Sequence, residues 1–248
     1  LNEISHNKFS NKKIKILNGN FFFKDDKNET LAIAKLNFGS LFYDELKMLN
    51  SFDIRGEIFN IPFDFYLKKN FSESNIKEIN FKAKTLKLNI NDKLEKKTNG
   101  STHGINLISF FNINTSTKYN INENTISFDS DQSQVKNLNI DYKGKLSFRP
   151  FEFDLKIDLR RYNLLKLIDL DSIIGEVFKS KLLFNENLTS NISINIGENI
   201  NNKIFKSSII HFNILNGKIN FDQTTMFNDK IGLLKIINSN LFFEENNL

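Results

Sequence analysis

The chain has 248 residues, of which 34 are Lys or Arg and 29 are Asp or Glu, giving a formal net charge of +5. It is 40% hydrophobic and contains 26 Phe, no Trp and no Cys. This balance is typical of a folded rather than a disordered chain. The absence of Cys excludes a disulfide framework, thiolate metal sites and a cysteine nucleophile.

The basic balance by itself does not indicate an anionic partner, because an AT-rich genome also favours Asn, Lys, Ile and Phe codons. The sequence starts at Leu1 and has no run of about 18 to 20 apolar residues, the length that crosses a bilayer. We therefore expect a fragment or a processed product, and a signal peptide or membrane anchor would lie upstream of Leu1.

Alternation of apolar and polar residues is the main local signal along the chain. In Thr85–Asn91 every second side chain is aliphatic, so a strand here has one apolar and one polar face. Such strands are half-buried and antiparallel. The same alternation occurs in residues 62–67, 138–142, 151–159 and 191–196.

These patterns predict a mostly β protein with a long, curled antiparallel sheet of about a dozen strands joined mainly by hairpins. Three Asn-Gly pairs indicate two-residue turns, since both residues adopt positive φ readily: Asn18-Gly19, Asn99-Gly100 and Asn216-Gly217.

Residues 162–179 follow helical spacing instead. Their apolar positions are Leu164, Leu167, Ile168, Ile174, Val177 and Phe178, with Asp169 and Asp171 on the polar side. The pattern predicts an amphipathic helix, or two short ones, either packed on the edge of the sheet or covering an apolar groove.

The two prolines of the chain occur at the same place in a repeated phrase. Residues 55–68 align with residues 143–156, so Gly56 matches Gly144 and Pro62 matches Pro150. Gly lets a strand bend or bulge, and Pro belongs at a strand start or an edge. The phrase predicts one strand ending and the next beginning.

A second repeat joins the two ends of the chain, since residues 14–23 resemble residues 212–221 around Gly19 and Gly217. Repeats of this kind stack into an extended sheet. We therefore expect a single β-repeat module over residues 1–248, with a helical insert at about 162–179. Its structural repeat positions are Gly19, Gly56, Pro62, Gly144, Pro150 and Gly217.

The repeated phrases carry a family resemblance. Gly-x-[Ile/Leu]-x-x-x-Pro-Phe-[Asp/Glu]-Phe and Ile-Leu-Asn-Gly-x-[Phe/Ile]-x-Phe, in a β-rich chain with one helical stretch, resemble the AsmA-like superfamily of bacterial envelope proteins. The resemblance covers residues 12 to 245. It implies a repeating β-groove with an apolar interior, an anchor in the inner membrane outside this segment, and phospholipid transport across the periplasm to the outer membrane.

An apolar face of this length needs either a ligand or a second layer of protein. The resemblance implies a lipid groove on the periplasmic side of the inner membrane, with phospholipid or another acyl lipid as partner. Each candidate residue is equally well explained as ordinary core. The candidates are Phe63, Phe65, Leu67, Leu86, Leu88, Ile90, Phe153, Leu155, Ile157, Ile192, Ile194 and Ile196.

Catalytic and metal-binding patterns are missing from the sequence. His6, His103 and His211 lack metal-ligand spacing, and no phosphate-binding Gly loop, nucleophile elbow or dinucleotide fingerprint occurs. The acidic pairs 25–26 and 244–245 have no partner base. We predict no enzyme activity and no cofactor.

Basic residues alternate with acidic ones instead of forming a stripe, so nucleic-acid binding is not expected. The short clusters Lys12-Lys13 and Lys93–Lys97 are either solvated or contacts for anionic headgroups. The sequence therefore favours a lipid-conduit segment of an AsmA-like protein. Its rival is a structural β-repeat scaffold or surface protein with a closed, ligand-free core.

Overall fold

The structure is a computed structural model that describes residues 7–24, 27–28, 30–72, 76–96, 102–110, 113–122, 124–131, 140–148, 150–165 and 173–243. Within these ranges the chain forms seventeen strands and very little helix. The predicted mostly β fold class, based on antiparallel pairing, is confirmed.

The chain divides into two compact units. The first unit holds residues up to Glu123, and the second holds nearly all residues from Asn124 onward. A single module over residues 1–248 stays a prediction.

The first unit is an antiparallel meander in which each strand pairs with the next along the chain. Alternation along the central strands makes one face of the sheet more apolar and the other more polar. Its strands are β1 (Ile14–Lys24), β2 (Thr30–Asp44), β3 (Leu49–Ile58), β4 (Ile61–Asn70), β5 (Ile76–Ala83), β6 (Leu88–Lys96), β7 (Thr102–Phe110) and β8 (Ile113–Ile121).

The second unit has shorter strands toward its C-terminal end and contains the described helices. Its helices are α1 (Ile173–Lys179) and a 3-10 helix (Leu182–Phe184). Its strands are β9 (Thr125–Ser130), β10 (Ile140–Phe148), β11 (Phe151–Tyr162), β12 (Thr189–Asn199), β13 (Ser207–Leu215), β14 (Lys218–Asn220), β15 (Thr225–Asn228), β16 (Gly232–Lys235) and β17 (Leu241–Phe242).

One pair of strands departs from the antiparallel rule. β11 and β12 run parallel, with Leu155 opposite Ile192 and Ile157 opposite Ile194. Parallel neighbours need a long crossover connection, and the segment between β11 and β12 that contains α1 supplies it. The predicted helical insert is confirmed at Ile173–Lys179, while residues 166–172 of that prediction lie outside the described residues.

The second unit has a closed hydrophobic core. Leu164, Leu183 and Leu188 from the crossover are buried with the strand residues Ile196 and Ile214, and Val177 of α1 packs against them. Ile196, Ile214 and Ile219 have no exposed surface. The crossover therefore covers the apolar face of β12, β13 and β14.

The repeated proline phrase forms a hairpin in each unit. In the first, Ile58 pairs with Ile61 across a turn whose two residues, Phe59 and Asn60, both have positive φ. In the second, Phe148 pairs with Phe151, and Pro150 lies in the turn. The prediction that the phrase ends one strand and begins the next is confirmed.

The turn lies two residues later in the second phrase than in the first. Pro62 is consequently inside β4, opposite Glu57, whereas Pro150 precedes β11. Pro62 is tolerated because the pairing of β4 with β5 begins only at Phe63. A displacement by two residues keeps every side chain on its predicted face.

The glycines of the phrase allow close approach between strands, and Gly56 also lies beside the bulge of β2 between Leu36 and Phe38. A Cβ on Gly56 would lie 2.3 Å from the Lys35 carbonyl oxygen, and one on Gly144 would lie 2.6 Å from that of Asp154. An aromatic ring lies opposite each glycine, Phe63 in the first unit and Phe128 in the second.

The three turns predicted at Asn-Gly pairs differ in outcome. Asn216-Gly217 forms the β13–β14 turn with both φ angles positive, as predicted. Asn99-Gly100 lies outside the described residues. The prediction of a turn at Asn18-Gly19 is wrong, because both residues lie inside β1, where Asn18 alone has positive φ.

Candidate functional site

The cross-strand register gathers an apolar face on the first unit. Phe65 on β4 lies opposite Phe81 on β5, which lies opposite Ile90 on β6, which lies opposite Ile108 on β7. Alternation places their neighbours two residues away on the same side. We call this the apolar face of the first unit: Phe52, Ile54, Phe63, Phe65, Leu67, Ile79, Phe81, Leu88, Ile90 and Ile108.

Most side chains of this face are only half-buried. Leu67 is 2% exposed and Phe52 is 7% exposed, whereas Phe63, Phe65 and Ile90 keep intermediate exposure. All described secondary structure of the first unit belongs to its one meander, so no described helix or second sheet of that unit covers the face.

Aromatic rings stiffen the apolar face. Phe63 and Phe81 stack with ring centroids 5.9 Å apart, and Phe52 meets Phe65 edge to face at 6.1 Å. Such pairs are worth about 0.5–1.5 kcal/mol beyond their buried area. The face is therefore a preformed apolar surface.

The same face ends in a polar cluster. Asp92 follows Ile90 on this side of β6, and it lies opposite Asn106, which lies opposite Thr117. The Tyr119 hydroxyl donates a 2.6 Å hydrogen bond to Oδ2 of Asp92. An apolar stretch that continues into a polar cluster fits an amphipathic ligand.

Burial holds the proton on Tyr119. Its ring lies over Gly104, where a Cβ would come within 2.1 Å of the tyrosine oxygen. Burial, and then the hydrogen bond and the negative charge of Asp92, raise the pKa of Tyr119 well above its usual range. The hydroxyl is therefore a fixed donor at neutral pH.

The opposite face of the first unit is mainly polar, although Ile105 and Leu107 on β7 are exposed there. Arg55 lies 3.8 Å from Asp53, and Lys84 lies 3.8 Å from Asp64, both as exposed ion pairs. Exposed pairs of this kind contribute little stability. This side of the sheet is accordingly a solvated surface.

Sequence reasoning placed half of the candidate lining residues in the second unit, where the structure gives them a different environment. Ile194 and Ile196 are buried members of its closed core, and Phe153, Ile157 and Ile192 pack against that core. Leu155 keeps intermediate exposure.

Among the candidates in the first unit, Leu86 lies outside the strand in which it was predicted. The strand predicted at Thr85–Asn91 begins at Leu88, and Leu86 lies in the preceding turn, where the Lys87 N–H donates to the Lys84 carbonyl at 3.0 Å. The structure brings Phe63, Phe65, Leu67, Leu88 and Ile90 together on one face.

A polar pocket in the second unit was not predicted. It has a volume of about 790 Å³, and its lining includes His211, Lys218, Asp222 and several asparagines. Asp222 accepts hydrogen bonds from the Ser239 N–H and hydroxyl, and the backbone bond is the main cause that lowers its pKa. Asparagine is too common in this chain to mark such a pocket in the sequence.

The remaining predicted positions form no reactive cluster in the described residues. His103 is exposed on β7, His211 lies on β13, and His6 and both acidic pairs lie outside those residues. Within the described ranges, no three His, Cys, Asp or Glu side chains are grouped so that they could hold a metal ion.

None of the described helices is long and apolar enough to cross a membrane. Comparisons with family models, curated proteins and solved structures found no match for this chain. The AsmA-like resemblance therefore rests on the repeated phrases alone.

Proposed function

We propose that the chain is a non-enzymatic, lipid-binding segment of an AsmA-like envelope protein. Acyl chains of a phospholipid lie along the apolar face of the first unit, and the headgroup remains in water. The observation that carries the proposal is the half-buried row of apolar side chains on β3 to β7, which no described element of the first unit covers.

The row of apolar side chains is continuous from strand to strand. It runs across five consecutive strands, and neighbouring strands lie about 4.8 Å apart, so it extends for roughly 20 Å. A 16-carbon acyl chain has a similar length when extended. A continuous, partly exposed apolar row of this length is a candidate binding surface.

Partitioning is the proposed mechanism. Burial is worth about 0.8 kcal/mol for each methylene, so an acyl chain is retained strongly relative to water. Because Phe, Leu and Ile side chains line the whole row, successive positions along it are nearly equivalent in free energy. The lipid can therefore slide without being released.

The polar cluster at the end of the face gives the ligand an orientation. Asp92, Asn106 and Tyr119 follow Ile90 and Ile108 on this face, so the acyl chains would lie on the apolar side of this boundary. The proposed location is the periplasmic side of the bacterial inner membrane, with the membrane anchor outside this segment.

The test is native mass spectrometry of the protein purified in mild conditions, followed by lipid extraction of the same sample. Leu88→Asp puts a charge on the apolar face, and Asn89→Asp puts the same charge on the opposite face of the same strand. We expect phospholipid with the wild type and with Asn89→Asp, and loss of lipid with Leu88→Asp.

Circular dichroism establishes that both variants are folded, and Ile90→Asp with Asn91→Asp repeats the comparison two residues along. Vesicles of phosphatidylethanolamine containing a fluorescent phospholipid provide a direct binding measurement. Folded wild-type protein that carries no lipid and extracts none from these vesicles would overturn the proposal.

The second candidate is a structural β-repeat scaffold that binds no ligand. The observation that favours it is the closed core of the second unit, in which Ile196 and Ile214 contact only protein. This candidate predicts that Leu88→Asp lowers stability but changes no lipid content, because there is none to lose.

A further inference from the structure

The outer edge of β1 is an exposed, two-sided apolar strand. Leu17 is 65% exposed, and Phe21, Phe22 and Phe23 are 45%, 56% and 51% exposed. Among the described residues, β2 is the strand that pairs with β1, so the other edge of β1 presents backbone N–H and C=O groups. Natural proteins usually shorten, charge or cover such an edge.

We propose that β1 pairs antiparallel with β1 of a second copy of this chain, across a two-fold axis at Phe21. A two-fold axis perpendicular to the sheet pairs a strand with itself and keeps the apolar face on the same side. The inference is independent of lipid binding, since it rests on the edge rather than on the apolar face.

The sequence of β1 is self-complementary in this register. Phe21 lies opposite Phe21 of the second copy, Asn20 opposite Phe22, and Gly19 opposite Phe23. Aromatic cross-strand pairs are stabilising. From Asn18 to Lys24 no two charged side chains lie opposite each other, because Lys24 lies opposite Asn18.

An aromatic ring opposite a glycine is a pairing that this protein already uses. Phe63 lies opposite Gly56, Phe128 opposite Gly144, and Tyr119 opposite Gly104. Gly19 has only aliphatic neighbours, Leu36 and Ile16, near the position of a Cβ. Phe23 of a second copy would give Gly19 the aromatic cover that the other three glycines have.

The exposed apolar surface of the paired segment is a substantial part of a dimer interface. About half of each Phe in residues 21–23 is exposed, which offers roughly 300 Å² of apolar surface per copy. A standard interface buries roughly 800 Å² from each partner, of which somewhat more than half is apolar.

Sedimentation equilibrium of the purified chain over a range of concentrations tests the proposal. We expect a monomer–dimer equilibrium, and Phe21→Lys raises the dissociation constant by about tenfold or more, because two like charges then meet at the axis. The matched control is Phe227→Lys, which replaces a side chain that is 42% exposed on β15 of the second unit.

Cross-linking tests the register. The natural chain has no Cys, so Phe21→Cys introduces a single thiol, and opposite residues of an antiparallel pair lie within disulfide reach. Mild oxidation converts this variant to a covalent dimer, and Phe227→Cys stays monomeric. A wild type that remains monomeric at all concentrations, forms open-ended oligomers, or cross-links equally at both positions overturns the proposal.

Discussion

The two units are built from the same kind of alternating strands, but the apolar side chains of their sheets are buried to different extents. Both contain the proline phrase as a hairpin, and both place an aromatic ring over its glycine. In the first unit Phe63 and Phe65 stay half-buried on the sheet, whereas in the second Ile196 is completely buried. Alternating strands therefore specify an apolar face without specifying what covers it.

The difference comes from the connection between β11 and β12. Each strand of the first unit pairs with the next along the chain, and the connections that the structure describes completely, residues 45–48, 59–60 and 84–87, are short turns that add no second layer. The parallel β11–β12 pair requires a crossover, and that crossover carries Leu164, Val177 and Leu183 onto the core. Topology closed the apolar face of the second unit and left that of the first unit without a described second layer.

The largest expected effect on stability comes from comparing a fully buried side chain of the second unit with a partly buried one of the first. Ile196→Ala removes methyl groups from a site without exposed surface, so we expect a loss of about 3 kcal/mol in the free energy of unfolding. Phe65→Ala removes a larger but only partly buried side chain, and we expect a loss of only about 1–2 kcal/mol. Urea unfolding of the delipidated protein measures both.

An equal or larger loss for Phe65→Ala would contradict the contrast, because it would show that Phe65 lies in a packed core. Ile54→Ala, on the same face of the neighbouring strand, serves as a second half-buried probe.

The next largest loss of stability is expected at the glycine of the proline phrase, which both units contain. Gly56→Ala places a Cβ 2.3 Å from a backbone oxygen of the neighbouring strand, which cannot move freely, so we expect a loss of about 2–3 kcal/mol. Gly144→Ala meets a backbone oxygen at 2.6 Å and should cost a similar amount. Thermal and urea unfolding measure both losses.

Gly19→Ala is the matched control at concentrations where the chain is monomeric, since within one chain its Cβ would meet nothing closer than 3.6 Å. We expect a change within about 0.5 kcal/mol. A neutral Gly56→Ala would show that close strand approach is not the reason for glycine in the phrase.

The polar end of the apolar face predicts a sensitivity to alkali. Because folding raises the pKa of Tyr119, the unfolded chain releases this proton first. The resulting stability is fully present below about pH 10 and is lost as the pH rises above it. Urea unfolding from pH 7 to 11 should show a falling free energy of unfolding.

Tyr119→Phe removes the hydroxyl and with it this part of the pH dependence. It also removes the hydrogen bond to Asp92, so we expect a loss of about 1 kcal/mol at pH 7. Tyr66→Phe, on the polar face of β4, is the control. An unchanged alkaline slope in Tyr119→Phe would refute the assignment to this tyrosine.

The smallest effect is expected on the polar face of the first unit. Lys84→Ala breaks an exposed ion pair with Asp64, and we expect a change of less than about 0.5 kcal/mol. A loss above 1 kcal/mol, measured in the same urea series, would mean that this face is packed rather than solvated.

The sequence by itself determined which side chains share a face. Alternation has a period of two in any strand, so Phe63, Phe65 and Leu67 lie on one side wherever the turn falls. For the same reason the two-residue displacement of the turn between the proline phrases left the predicted faces intact. The helical spacing of Val177 and Phe178 was equally local, and α1 forms there.

Only the tertiary structure decided how similar phrases fold and what covers them. Ile-Leu-Asn-Gly continues through β1 at residues 16–19 and turns back as a hairpin at residues 214–217. Glycine adopts either sign of φ at little cost, so long-range pairing selects between the two: β1 pairs with β2 throughout, and β14 folds back on β13. Pairing between strands distant in sequence likewise made β11 and β12 parallel, and the crossover that this pairing requires closed the core of the second unit.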